Sequence, residues 1–269
     1  MSVQDLRISI IQAATVWHDP KANRDYYQAL LSEQNPESDL IVLPETFTSG
    51  FSNAALAQAE TMQGDTVAWL LDQAQKFNTA ITGSVQIREG EQVFNRMLWA
   101  MPDGSIQYYD KRHLFRMANE HERYSAGKDK LFIEYKGWRI CPQVCYDLRF
   151  PVYSRNRFNN SVTNAYDYDL LIYVANWPSP RHFAWQTLLK ARAIENLAYV
   201  VGVNRVGTDD NNLHYLGGST VLGFLGNTIV ESGVEPQIQT ACISYSELQE
   251  FRERFPVHMD ADSFEINNS

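Results

Sequence analysis

The order of its apolar runs most constrains what this chain can fold into. Short β-branched segments alternate with helix-period segments toward both ends, and a hairpin separates the two series. LRISIIQA (Leu6 to Ala13) and LIVLPE (Leu40 to Glu45) read as strands, and NRDYYQALLSE between them carries Tyr27, Leu30 and Leu31 at helical spacing. TVAWLLDQAQKF (Thr66 to Phe77) reads as the next helix and TAITGSVQI as a strand. VFNRMLWAM and SIQYYDK form the hairpin, joined at Pro102-Asp103-Gly104, where proline fixes φ and glycine tolerates positive φ. A long polar stretch follows, Arg112 to Lys130. Then come strands LFIEY and WRICPQVC, a helical segment after Pro151, and the apolar strand LLIYVANW ending at Trp177. HFAWQTLLKARAIENLA is the clearest helix, with Trp185, Leu188, Leu189, Ala193 and Leu197 on one stripe. YVVGVNRVG and the shorter GGSTVLGF, NTIV and IQTACIS close the series. This rhythm predicts a layered α/β architecture, and the many strands per helix predict two stacked sheets.

The chain of 269 residues, 44% hydrophobic and 20% charged, suits a soluble globular enzyme with a large core. No linker divides it, so one domain over 1–269 is expected, with an acidic tail from about Val257, disordered or packed on a partner subunit. A net charge of −9 argues against nucleic-acid binding, which calls for a basic patch. No run approaches the roughly 20 apolar residues that span a bilayer. The N-terminal MSVQDLRISIIQAA lacks the basic start and cleavage site of a signal peptide. A cytoplasmic protein without membrane or nucleic-acid partners is expected, one that leaves the glycosylation triplet Asn159-Asn160-Ser161 unused. Three cysteines, Cys141, Cys145 and Cys242, are too few and too odd for a disulfide framework.

Three strand ends carry reactive residues: Glu45 in LIVLPETFTSGF, Lys111 in YYDKRHLF and Cys145 in WRICPQVCYDLRFP. In layered α/β proteins ligands gather at the carboxyl ends of strands. Each residue alone has a plain structural reading. A glutamate after a strand is ordinarily solvated, a lysine after a hairpin is a surface charge, and a cysteine in an apolar strand is a small core group. It is the three together, each in a characteristic flank, that point to chemistry.

PETFTSGF, YDKRHLF and CYDLRFP, in that order, resemble the signature segments of the nitrilase superfamily of carbon–nitrogen hydrolases, most closely its bacterial omega-amidase branch. The resemblance runs from about Ser9 to about Ser244. It implies a four-layer αββα sandwich, a homodimer, and a triad of Glu45, Lys111 and Cys145. Many members add a second glutamate between lysine and cysteine. Counted back from Ser125-Ala126-Gly127, Glu120 is the match, with Glu122 the alternative.

These residue types fit amide hydrolysis. A thiol with an ordinary pKa near 8.5 is only a few per cent thiolate at neutral pH and needs a base or cation nearby. Glu45 can take the Cys145 proton, while Lys111 and the backbone N–H of Tyr146 can stabilise an oxyanion. The implied substrate is a small omega-amide of the 2-oxoglutaramate or 2-oxosuccinamate type, cleaved to ammonia and an acid without cofactor or metal. Its distal carboxylate calls for a basic group, with Arg116, Arg149 and Arg181 as candidates, although an ion pair with a motif carboxylate such as Asp147 is the first reading of Arg149 and substrate contact the second. Phe47, Phe150 and Trp177 could wall the cavity or pack in the core. The same triad could instead act on a nitrile, an N-carbamoyl amine or a deaminated glutathione amide. A Cys-His hydrolase, a zinc site on Cys141 and Cys145, and a non-catalytic binding protein on this scaffold are the other readings. His113 has no local signature pairing it with Cys145, and two thiolates are too few for zinc.

Overall fold

The computed structural model describes residues 3–159 and 165–266. Asn160 and Ser161 of the acceptor triplet therefore lie outside the described residues. In chain order the strands are β1 (Leu6–Gln12), β2 (Leu40–Val42), β3 (Ala80–Glu89), β4 (Gln92–Ala100), β5 (Ile106–Asp110), β6 (Ile133–Tyr135), β7 (Trp138–Val144), β8 (Phe158–Asn159), β9 (Ala165–Tyr166), β10 (Leu170–Ala175), β11 (Tyr199–Asn204), β12 (Val206–Thr208), β13 (His214–Leu216), β14 (Thr220–Leu222), β15 (Thr228–Glu231) and β16 (Gln237–Ile243). The helices are α1 (Pro20–Gln34), α2 (Asp65–Phe77), α3 (Pro151–Ser154), α4 (His182–Asn196) and α5 (Tyr245–Arg254).

Two six-stranded sheets form, ordered β16-β1-β2-β3-β4-β5 and β15-β14-β11-β10-β7-β6. Each has a parallel centre, β1-β2-β3 in one and β7-β10-β11 in the other, and antiparallel edges. Parallel strands covered on both faces read as continuous apolar runs, which is why LIV and LLIYVA show no alternation. The alternation reappears in where the side chains go. Ile8, Ile10, Leu40, Val42, Ile140, Val144, Ile172 and Val174 meet between the sheets. Ile11, Ile41 and Ile81 turn to the opposite face, against Tyr27 and Leu31 of α1 and Val67, Leu70 and Ala74 of α2. Cys141, Leu171, Tyr173 and Val200 turn outward against Trp185, Leu189 and Ala193 of α4. Three apolar seams thus separate four layers, helix, sheet, sheet, helix, as expected.

Local signals set the boundaries. Asp19 caps α1 by accepting from the Ala22 N–H at 2.9 Å, and Pro20 opens the helix, so α1 begins three residues before the NRDYYQALLSE segment. β2 is shorter than LIVLPE, because Pro44 cannot donate to the ladder. The tail does not leave the subunit at Val257. Its 3₁₀ turn, Val257–Asp260, stacks His258 on Phe158 at 4.0 Å, and His258 Nδ1 lies 3.0 Å from the Tyr166 hydroxyl. Among the described residues no helix is long and apolar enough to cross a membrane.

Candidate active site

Glu45, Lys111 and Cys145 each lie just beyond a strand, after β2, β5 and β7 respectively, and all three line one cavity of about 360 Å³. Ligand cavities range upward from roughly 300 Å³, so this one suits a small molecule. The chain turns sharply at two of these points. Thr46 has φ +41° and Cys145 φ +46°, left-handed values that cost a non-glycine residue energy and cluster at functional sites. Thr46 is held by its N–H donating to Ser84 Oγ at 2.8 Å, and Phe47 by its N–H donating to the Ser84 carbonyl at 3.2 Å.

The turn at Cys145 is riveted by Asp147, which is fully buried. Its Oδ2 accepts from the Val144 N–H at 3.0 Å and the Tyr109 hydroxyl at 2.8 Å. Its Oδ1 accepts from the His113 N–H at 2.9 Å and lies 2.8 Å from His113 Nδ1. One carboxylate therefore ties the chain on either side of Cys145 to the chain on either side of Lys111. Arg149 is not its partner, so the ion-pair reading of Arg149 fails. His113 is taken up by Asp147 and by stacking on Phe150 at 3.7 Å, which also removes Phe150 from the cavity wall.

The carboxylate of Glu45 is 0% exposed and accepts several hydrogen bonds. Oε1 receives Asn95 Nδ2 at 2.8 Å and Lys111 Nζ at 3.1 Å, and Oε2 receives the Asn176 N–H at 2.7 Å. Asn176 Nδ2 also donates to the Glu45 carbonyl at 2.8 Å. Lys111 is 1% exposed, and its ammonium donates to both oxygens of Glu120 at 3.0 Å. Glu120 is 0% exposed and also accepts from the Phe115 N–H at 2.6 Å, whereas Glu122 is exposed. Glu120, rather than Glu122, is the glutamate that reaches Lys111. Phe51 lies over the ammonium at 5.2 Å and lines the cavity.

Burial favours the neutral form of every ionisable group here, and the neighbours decide the outcome. For Lys111 burial pulls the pKa down, but Glu120 and Glu45 outweigh it and hold the ammonium well above its ordinary range. Glu120 is raised, chiefly by burial, with Lys111 opposing. The Cys145 thiol is raised well above its usual value by burial and then by the charge of Glu45, with which it also shares a hydrogen bond, while Lys111 opposes. At rest the site thus holds a protonated thiol facing a carboxylate, beside a lysine fixed as a cation. That arrangement can deprotonate sulfur during attack and can meet a developing oxyanion. Cys141, by contrast, points into the α4 seam, where burial pushes its thiol up to about 12.

Tyr146, Arg149 and Trp177 line the cavity, with Phe115, Met117, Arg181, Leu213 and Tyr215. Arg116 does not. Phe47 does not either: it is fully buried in the seam against α1 and α2, edge-on to Tyr27 at 5.4 Å. The left-handed turn at Thr46 sends it there, and Gly83 makes room, since a Cβ at Gly83 would come within 3.0 Å of its ring. Asn95, Asn176 and Phe51 are site residues that sequence reading missed. Only Asn176 carried a signal, as a polar residue ending the apolar strand in ANWP.

Comparison with known proteins gives a consistent picture. The carbon-nitrogen hydrolase family profile matches residues 7–253. The chain is 47% identical to the omega-amidase YafV of Escherichia coli K12 over 97% of this chain and 98% of that one. It is 33% identical to the 2-oxoglutaramate amidase of Bacillus subtilis 168, covering 94% and 96%. Among solved structures, XC1258 from Xanthomonas campestris, a CN-hydrolase superfamily protein with an arsenic adduct in its active site, superposes with a TM-score of 0.95. It shares 59% identity and covers 98% of this chain and 99% of that one.

Proposed function

The chain belongs to the carbon–nitrogen hydrolase family, and from that premise we propose that it hydrolyses the terminal carboxamide of a small omega-amide, of the 2-oxoglutaramate or 2-oxosuccinamate type, to ammonia and a carboxylic acid. The observation that carries this reading is the meeting of the Cys145 thiol, the Glu45 carboxylate and the Lys111 ammonium in one small cavity. The near full-length similarity to an omega-amidase and to a 2-oxoglutaramate amidase supports the substrate class.

In the first step sulfur bonds to the amide carbonyl carbon while Glu45 takes the thiol proton. Because the thiol is held protonated, attack and proton transfer are coupled, and no standing thiolate is required. The carbonyl oxygen becomes an oxyanion between the Lys111 ammonium and the Tyr146 backbone N–H. Glu120 keeps the ammonium aimed and charged. Collapse breaks the C–N bond, and protonated Glu45 passes its proton to the leaving nitrogen, so ammonia departs and a thioester remains. Water then attacks the thioester, Glu45 takes a proton again, and the C–S bond breaks. The proton returns to sulfur as the acid leaves. Arg149 and Trp177 wall the substrate's far end.

Ammonia release from omega-amides, nitriles and N-carbamoyl compounds, measured with wild type and Cys145→Ala, tests this. Omega-amides should be the best substrates and the variant should be inactive while keeping its melting temperature. Full amidase activity in Cys145→Ala, or a nitrile or N-carbamoyl compound outperforming every omega-amide, refutes the reading.

A further inference from the structure

Beyond the reacting centre, the charged side chains lining the cavity are two guanidiniums, Arg149 and Arg181, and no carboxylate besides Glu45 joins them. Among the described residues neither arginine has an ion-pair partner, although the chain carries a net charge of −9. Arg149 is exposed and Arg181 half-buried, so water can reach both guanidiniums at the cavity mouth.

Both are nonetheless held in place, by aromatic rings. Arg149 lies over the Trp177 ring at 5.1 Å, and Arg181 over the Phe115 ring at 5.3 Å. Stacking on a ring orients a guanidinium without using its hydrogen-bond donors. Trp177 links the two, because its indole N–H donates to the Arg181 carbonyl at 2.8 Å. The tryptophan is itself clamped: its N–H donates to Asn204 Oδ1 at 2.8 Å, and Asn204 Nδ2 donates to its carbonyl at 3.0 Å and to the Gly217 carbonyl at 2.9 Å. The result is an Arg149–Trp177–Arg181 platform at the end of β10, rigid at its centre and offering two guanidiniums with no carboxylate partner among the described residues; Arg181 Nη1 donates only to the weak acceptor Met117 Sδ, at 3.9 Å.

From this we propose that the platform is a carboxylate receptor in which Arg149 and Arg181 jointly select substrates bearing an anion at the end remote from the amide. The proposal rests on the amidase reading above and deepens it. A guanidinium recognises a carboxylate through paired N–H donors, and two of them in a small apolar-walled cavity discriminate strongly against a neutral end. Arg181 acts as fully as Arg149 here, and Asn204 acts through Trp177 as a positioning residue.

The test compares glutaramate, its methyl ester and pentanamide as substrates for wild type, Arg149→Gln, Arg181→Gln and Arg181→Lys. The readout is the ratio of kcat/KM for glutaramate to that for pentanamide. Wild type should favour glutaramate over both neutral amides. Each glutamine variant should lower that ratio roughly 10- to 100-fold, the span of a hydrogen bond to a charged group, mainly through KM. Arg181→Lys should retain part of the preference, because the charge persists and the paired donors do not. Preference unchanged in both glutamine variants, or a wild type indifferent to the carboxylate, overturns the receptor while leaving the amidase reading standing. Absence of ammonia from all three substrates in wild type overturns that reading and the receptor with it.

Discussion

Replacing Glu45 by glutamine separates two properties that a cysteine hydrolase usually joins. The side chain keeps its shape, and an amide oxygen at the Oε1 position still accepts from Asn95 at 2.8 Å and Lys111 at 3.1 Å. The amide nitrogen then faces the Asn176 N–H, which donates to Oε2 at 2.7 Å in the native site, so one donor is left facing another. That mismatch costs about 1–3 kcal/mol. Lys111 keeps Glu120 as counter-ion, and two carboxylates no longer share one ammonium, which offsets part of the cost. A melting point a few degrees lower is expected, not unfolding. Hydrolysis should fall by about 10²–10⁴-fold or more, since the lost base serves both the attack and the thioester step. Thiol reactivity should move the other way. Burial is the largest influence raising the Cys145 pKa and remains. The charge and hydrogen bond of Glu45 come next and are removed, while Lys111 still pulls the pKa down. Below its pKa, each unit of fall raises the thiolate fraction about tenfold, and the accompanying loss of nucleophilicity leaves about threefold faster alkylation per unit. Iodoacetamide alkylation followed from pH 7 to 9, beside ammonia release, measures both. A folded Glu45→Gln protein that alkylates more slowly than wild type, or hydrolyses within tenfold of it, refutes the reasoning.

Two further outcomes follow from the same geometry. Glu120→Gln should lower kcat by about 10- to 1000-fold, because the ammonium loses its bidentate partner, while exposed Glu122→Gln should stay within about twofold in parallel ammonia assays. Phe183 is 80% exposed on α4, and Ile194 lies on the same face eleven residues on, close to Gly226 and exposed Leu225. If the homodimer that the family resemblance implies forms through this end of α4, Phe183 is buried in it. Light scattering should find a wild-type dimer and a Phe183→Glu monomer of unchanged fold, and a monomeric wild type sinks the idea.

The layers and the reacting trio were legible because each rests on local sequence. A strand covered on both faces must be apolar throughout, and the strand ends announce themselves by the abrupt arrival of Glu45, Lys111 and Cys145. Phe47 was misread for a definable reason. Two residues past a strand end, the face that a side chain takes depends on one backbone angle, and the left-handed turn at Thr46 reversed it. An aromatic four residues further on, Phe51, took the place by the ammonium instead. Arg149 was misjudged similarly: Asp147 is its near neighbour in sequence, yet Asp147 spends both oxygens on the chain around Lys111 and Cys145.

What sequence hid is how a buried site can hold so much charge. Two carboxylates and an ammonium, all at most 1% exposed, have lost nearly all their hydration, and a single ammonium cannot neutralise both acids. The remainder is met by dipoles: Asn95 Nδ2 and the Asn176 N–H on Glu45, and the Phe115 N–H on Glu120. Those donors come from β4, from the end of β10 and from the loop after β5, three places with no sequence relation to one another. Asn95 sits in VFNRMLWAM, where a lone asparagine ordinarily marks a solvated face of a strand. It is buried here because Glu45, just past the end of β2 in the same sheet, accepts its amide N–H. Inside the protein the Glu45 side chain is held by these neutral donors as much as by Lys111. They can be recognised only once the sheets are assembled.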